Sequence, residues 1–312
     1  MRTPAGPAEH HRAFGPKEHL KDEGHRIVPN HPHFLVIDGY HRSGREELAA
    51  GGATTAGELY AKMLRRILPE SSVDIIYPAD PGASLPQGAA LRSYDGIAWT
   101  GSSLTVYADD ARVKPQIDLA KSAFEAHVPS FGSCWAAQIA VVAAGGRVAA
   151  NPRGREMGVA RKIALTPEGR SHPLFAGKAS VFDAFISHED EVTHMPPGGM
   201  LLASNAFTAV QAVAVTYKGG TFWAVQYHPE YDLHELARLT YCRIDKLVSK
   251  GFFADRQAAL EYVEKLDALH KDPSRNDLAW QLGVDADVMD EDIRTVEVRN
   301  WVEHQVLPTM RT

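Results

Sequence analysis

Apolar residues in this chain fall into two rhythms: short unbroken runs, and stripes spaced three or four apart. The runs have the length of strands buried on both faces, and the stripes have the spacing of helices with one buried side. Residues 34–38 (FLVID) read as a first strand, and 39–52 as a loop. Residues 55–68 carry Leu59, Met63, Leu64, Ile67 and Leu68 at helical spacing and stop at Pro69. A second strand is predicted over 73–77, a Pro/Gly loop over 78–87, and a third strand over 95–99 that ends in Thr100-Gly101-Ser102-Ser103. A helix over 113–126, a strand over 128–131 and an apolar helix over 135–144 follow, closing on Gly145-Gly146. Strand and helix alternating at this spacing predict a doubly wound parallel sheet, whose ligands bind at the carboxyl ends of the strands.

Beyond Gly146 the rhythm changes. Strands are predicted over 148–150, 158–165, 180–186, 200–203, 210–217 and 221–227, with a loop over 166–175. Lys218-Gly219-Gly220 reads as a hairpin turn. From Tyr231 the chain is helical. Leu233, Leu236, Leu239, Ile244, Leu247 and Val248 form one stripe; Leu260, Val263, Leu266 and Leu269 form another. Cys242 falls in the first and reads as core or near-core packing. After a polar joint over 270–277, residues 278–282 and a final segment over 285–307 complete the tail, with Val296, Val298, Trp301 and Val302 as a packed face. The predicted fold is therefore α/β: a doubly wound, mostly parallel central sheet with helices on both faces, a small antiparallel layer and a C-terminal helical extension. The expected divisions are a polar arm over 1–33, a catalytic domain over 34–250 and the extension over 251–312.

Composition narrows the function. A net charge of −6 implies no broad basic surface, so no nucleic-acid partner is expected. No apolar run approaches the roughly 18 residues of a membrane span, and the opening residues lack a signal-peptide apolar region. Cys134 and Cys242 are the only cysteines, far apart, which fits a reducing compartment and an expected cytoplasmic location. The five histidines of residues 1–32 (His10, His11, His19, His25 and His31) have no metal-ligand spacing, and no metal or cofactor is expected.

Candidate chemistry centres on 128–146, VPSFGSCWAAQIAVVAAGG. The stretch reads as strand, tight turn and helix, with a thiol at the turn. Backbone N–H groups and the dipole at a helix N-terminus favour an anion, and such a place lowers a thiol's pKa from about 8.5 toward roughly 3.5–7.5. Taken alone, the cysteine reads equally well as inert core. A nucleophile needs a base and a group that orients the base. His228 and Glu230 stand two apart at the end of a buried strand, so both face one side, and Pro229 between them restricts the backbone. One imidazole nitrogen can then face the thiol while the other bonds the carboxylate.

These motifs, G-S-C-W-A-A-Q (132–138), S-H-E-D-E-V (187–192) and A-V-Q-Y-H-P-E (224–230), resemble in type and chain order those of the class I glutamine amidotransferases, such as the glutaminase domain of GMP synthetase. Thr100-Gly101-Ser102-Ser103 resembles the family's oxyanion loop, and Arg155-Glu156-Met157-Gly158 sits where the family has a Glu/Gly strand start. The resemblance covers roughly 34–250. It implies a triad of Cys134, His228 and Glu230 and hydrolysis of a glutamine or γ-glutamyl amide through a glutamyl thioester. It also implies an oxyanion hole from the N–H of Trp135 and one from Gly101 or Ser102, with Gln138 and His188 at the substrate. Ala136, Ala137, Ser102 and Ser103 depart from the family pattern and imply a reshaped pocket.

A GxxxxGK[ST] phosphate loop and a Ser-Gly-Gly-x-Asp-Ser motif are both missing. A free-standing γ-glutamyl amide hydrolase acting on a small molecule is thus the leading expectation. A subunit passing ammonia to a separate synthetase partner comes second. A non-catalytic regulatory or binding member of the fold comes third, and the complete set of triad residue types argues against it.

Overall fold

Phe34, Leu35, Val36 and Ile37 are 0–1% exposed, as a strand with neighbours on both sides and both faces must be. The computed structural model describes residues 31–310; the expected arm lies outside them, apart from its last few residues. In chain order the strands are β1 (His33–Ile37), β2 (Ser72–Ile76), β3 (Gly96–Trp99), β4 (Ser130–Ser133), β5 (Arg147–Ala150), β6 (Glu156–Leu165), β7 (Val181–His188), β8 (Asp190–His194), β9 (Gly199–Ser204), β10 (Ala212–Tyr217) and β11 (Gly220–Val225). The main helices are α1 (Arg42–Ala50), α2 (Ala56–Ile67), α3 (Lys114–Ala126), α4 (Trp135–Ala143), α5 (Pro167–Ser171), α6 (Leu233–Cys242), α7 (Ile244–Ser249), α8 (Arg256–Lys271) and α9 (Asn276–Leu282). Short turns α10 (Ala286–Met289), α11 (Glu291–Arg294) and α12 (Val296–Trp301) follow, then a π-helical turn (Val302–Val306).

The central sheet runs β2-β1-β3-β4-β11-β10-β9-β6-β7. Pairing is parallel from β2 to β11 and antiparallel from β11 to β7. The antiparallel strands thus continue the parallel sheet, and only β5 and β8 form a separate pair. Helix α4 lies against the sheet and is apolar except for Gln138, with only Val142 of its residues not buried. Gly132 makes that approach possible: a Cβ there would meet Trp99 O at 2.2 Å and Ala136 Cβ at 2.4 Å.

The structure differs from the sequence expectations at several points. Residues 39–52 hold helix α1, begun by His41, whose Nδ1 accepts the Gly44 N–H. Only Gly44 and Leu48 of that helix are buried, so it has no apolar stripe to read. The loop expected over 166–175 contains α5, because the Thr166 hydroxyl caps it by accepting the Gly169 N–H at 2.9 Å. Strand β7 runs on to His188, and Asp190–His194 is a further strand paired with β5. The strand expected over 128–131 sits at Ser130–Ser133, which carries it directly into Cys134.

The C-terminal segment is woven into the sheet's core. Trp301 is fully buried, with its ring 5.7 Å from that of Phe34 and 5.8 Å from that of Phe131. Gly96 leaves the room, since a Cβ there would lie 2.9 Å from Trp301 Cζ2. Asn300 donates to the carbonyls of Leu174 and Ala176, each at 2.9 Å. Glu297 is buried with Lys178 at 3.2 Å and accepts the Tyr227 hydroxyl at 2.5 Å. Truncating Trp301 removes contacts to three strands at once. Trp301→Ala is expected to cost about 3–5 kcal/mol, read from the denaturant midpoint; a loss under about 1 kcal/mol would contradict this packing.

Candidate active site

Register brings the chemistry together. In the order β3-β4-β11, Trp99 lies opposite Gly132, and Ser133 opposite Val225. All three strands run parallel, so the residues that follow them emerge at one edge: Thr100–Ser103, Cys134 and the turn leading to His228. The chain must bend sharply between β4 and α4. Cys134 takes that bend with φ +53° and ψ −98°, a conformation L-residues rarely adopt. Its N–H donates to Val225 O at 2.8 Å, which pins the strained residue to the strand carrying His228.

His228 is 2% exposed. Its Nδ1 bonds Glu230 Oε1 at 2.7 Å, and the Ser133 hydroxyl donates to the same oxygen at 2.8 Å. The Tyr231 ring stacks on the imidazole, 4.0 Å between centroids and 1° from parallel. The His228 N–H donates to Phe185 O at 2.8 Å. Nε2 is buried and, among the described residues, has no aligned hydrogen-bond partner. Burial works against a charged ring, but the Glu230 charge, the nearby Cys134 and the hydrogen bond to Glu230 overcome it and push the pKa up to about 9. The Cys134 thiol is 3.8 Å from Ser187 O.

Both candidates and the loop border a cavity of about 370 Å³, whose walls also include Ser102, Trp135, Gln138 and His188. Gly101 is set by space rather than by torsion: its φ is not positive, but a Cβ would lie 3.1 Å from His228 Cε1. Ser102, where the resembled family has glycine, fastens the loop. Its hydroxyl donates to Gly39 O at 2.8 Å and accepts the Leu104 N–H at 3.1 Å. Trp135 Nε1 donates to Gln116 Oε1 at 2.8 Å. The backbone N–H of Trp135 opens α4, where the first N–H groups have no intrahelical acceptor.

Gln138 keeps Nε2 3.5 Å from Asp190 O, while its Oε1 has no hydrogen-bond partner among the described residues. His188 has both ring nitrogens occupied, Nδ1 by Asp190 O at 2.8 Å and Nε2 by Glu156 Oε2 at 3.1 Å. Glu156 also takes hydrogen bonds from Asn205, Thr208 and Gln211. Burial opposes its charge, yet His188, Asn205 and Thr208 hold the carboxyl below its usual range. His188 therefore braces the cavity wall through Glu156 and the turn at Asp190.

Sequence reasoning missed Arg155 and Arg243, which line the same cavity. Arg155 immediately precedes β6, and Arg243 joins α6 to α7. Both donate to the Ser187 hydroxyl, at 3.2 and 2.8 Å. The S-H-E-D motif marked Ser187, but nothing in sequence spacing tied it to either arginine. Among the described residues no group of three or more His, Cys, Asp or Glu is gathered to hold a metal, and no helix is long and apolar enough to cross a membrane.

With this geometry in place, comparison with known proteins is informative. Residues 60–240 match the family model for class-I glutamine amidotransferases. A γ-glutamyl-L-1-hydroxyisopropylamide hydrolase from a Pseudomonas species is 33% identical over 285 residues, spanning 89% of this chain and 94% of that protein. The glutamine-hydrolyzing GMP synthase of Nitrosomonas eutropha is 32% identical over 179 residues, 56% of this chain but only 32% of that protein. A glutamine amidotransferase structure from Thermotoga maritima shares the fold, with a TM-score of 0.60 at 15% identity over 89% of this chain and 99% of its own. The matched segment contains the strand ends that border the cavity, and the chain belongs to the class-I glutamine amidotransferase family.

Proposed function

We propose that this protein hydrolyses the side-chain amide of a γ-glutamyl compound through Cys134, His228 and Glu230. One observation carries the reading: a strained cysteine at a helix N-terminus shares a cavity with a histidine whose Nε2 has no aligned partner and whose Nδ1 is held by a carboxylate. The Cys134 proton already rests on His228, so the nucleophile is the thiolate of a thiolate–imidazolium pair. The thiolate attacks the γ-carbonyl carbon, and the oxygen gains charge. Donors for that charge are the N–H of Trp135 and one from Gly101 or Ser102; one such donor is worth about 10²–10³ in rate. His228 then protonates the amine as the C–N bond breaks, leaving a glutamyl thioester. Water, losing a proton to His228, attacks the thioester; the C–S bond breaks, releasing glutamate and the Cys134 thiolate beside the recharged imidazolium. Glu230 sets the tautomer and stabilises the imidazolium.

The Pseudomonas relative, named for hydrolysis of a γ-glutamyl amide and matched over nearly its whole length, supports hydrolysis without a synthetase. The GMP synthases support a second reading, in which ammonia from glutamine passes to a separate synthetase. A panel of glutamine and γ-glutamyl amides, assayed by glutamate release, tests both. Turnover of substituted amides without any partner favours the first, and turnover confined to glutamine and raised by a synthetase favours the second. Absence of any glutamate release would overturn the hydrolytic reading.

Cys134→Ala is expected to abolish glutamate release with the unfolding midpoint little changed. Retained turnover would exclude Cys134 as the nucleophile. Glu230→Gln is expected to lower kcat by about 10²–10⁴ while leaving activity above that of Cys134→Ala.

The His228 ring, ordinarily near 6.5 and here near 9, is expected to remain charged at neutral pH, which NMR of its ring protons would read directly. A raised pKa stabilises the fold fully below about pH 6.5, and that contribution is lost as pH rises through about 9. Glu230→Gln should move the ring's midpoint downward. A wild-type midpoint near 6.5 would contradict the geometry.

A further inference from the structure

Two guanidinium groups face one cavity with too little negative charge to match them. Arg155 has Glu189 at 3.4 Å, but that carboxylate is shared with Lys246 at 3.7 Å and with Lys250. Arg243 has no carboxylate among its hydrogen-bond partners; it donates to the Ser187 hydroxyl at 2.8 Å and to the Tyr40 hydroxyl at 3.4 Å, both neutral. Burial and the neighbouring Arg243 charge both push the Arg155 pKa down, the mark of like charges held together. Charges drawn out of water are costly unless paired. Ser187 accepts from both arginines, and among the described residues its own hydrogen has no acceptor.

Position makes the deficit specific. Ser187 O is 3.8 Å from Cys134 Sγ, so the nucleophile and the arginine-bearing hydroxyl approach the same residue. The γ-carbonyl and α-carboxylate of an extended glutamyl group are about 5 Å apart. A substrate whose carbonyl carbon sits at Cys134 can therefore reach Ser187 with its carboxylate. Resting on the hydrolytic reading above, we propose that Arg155 and Arg243 clamp the α-carboxylate of the γ-glutamyl group, with the Ser187 hydroxyl as a third donor. The clamp selects the acyl half of the substrate and leaves the amine half to the rest of the cavity. Planar guanidinium groups suit a planar carboxylate, which accepts paired N–H donors.

The test separates binding from turnover. Cys134→Ala is titrated by ligand-observed NMR with L-glutamine and with 4-aminobutanamide, which is glutamine without its α-carboxylate. Glutamine is expected to bind at least about tenfold more tightly. Adding Arg243→Gln should weaken glutamine by about ten- to hundredfold and leave 4-aminobutanamide unchanged, which also reports an intact cavity. Arg243→Lys should restore part of the loss, and Arg155→Gln should act in the same direction as Arg243→Gln. Equal affinities for the two ligands, no binding of glutamine, or equal losses for both on Arg243→Gln would overturn the clamp. Wild-type turnover is scored separately. Hydrolysis without carboxylate discrimination sinks the clamp alone; discrimination without hydrolysis sinks the reaction and leaves the clamp.

Discussion

The hydrogen bond from Cys134 N–H to Val225 O, 2.8 Å long, is the constraint on which the site depends. It is the last rung of the parallel pairing between β4 and β11. That rung forces the chain to turn immediately, and Cys134 pays for the turn with a positive φ. It also fixes where β11 ends, and so where His228 and Glu230 begin. Shifting either strand by one residue would reverse which side chains face the cavity. Gly132 completes the arrangement from behind, because only a residue without a Cβ lets α4 settle against the sheet at that point.

Around this rung the polar groups are layered inward. Ser133, on the residue before the cysteine, donates to Glu230; Glu230 holds His228; Tyr231 stacks on the ring from the other side. Each partner comes from the ends of β4 and β11, so one sheet contact supplies the whole set. The wall opposite is assembled differently. His188, Glu156, Asn205, Thr208 and Gln211 tie the edge strands together and leave Ser187 facing the thiol.

What could be read from the sequence follows this division. The strand–turn–helix around Cys134 and the His228/Glu230 spacing are local patterns, written within a few residues, and they were legible. Buried runs and helical stripes likewise announced β1, α2 and α4. Helix α1 was not legible, since Leu48 is its one buried apolar side chain and its start depends on the His41 cap. The two arginines were hidden for another reason. Arg155 and Arg243 lie far apart in the chain, belong to no shared motif, and meet only because β6 and the α6–α7 joint converge on Ser187. Of the departures from the family pattern, Ala136 lies beside Gly132, and Ser102, on the cavity wall, fastens its loop to Gly39 O.

The last helices also touch the chemistry. Arg294, buried, donates to Pro229 O at 3.3 Å, and Glu297 accepts from Tyr227, so the residues flanking His228 on both sides are gripped by one short stretch near the C-terminus. This stretch works as a splint on the His-Pro-Glu bend. The region cannot drift freely as an appendage: an insertion or deletion between α9 and Trp301 would be felt first as a loosened imidazole, before any strand lost its partner.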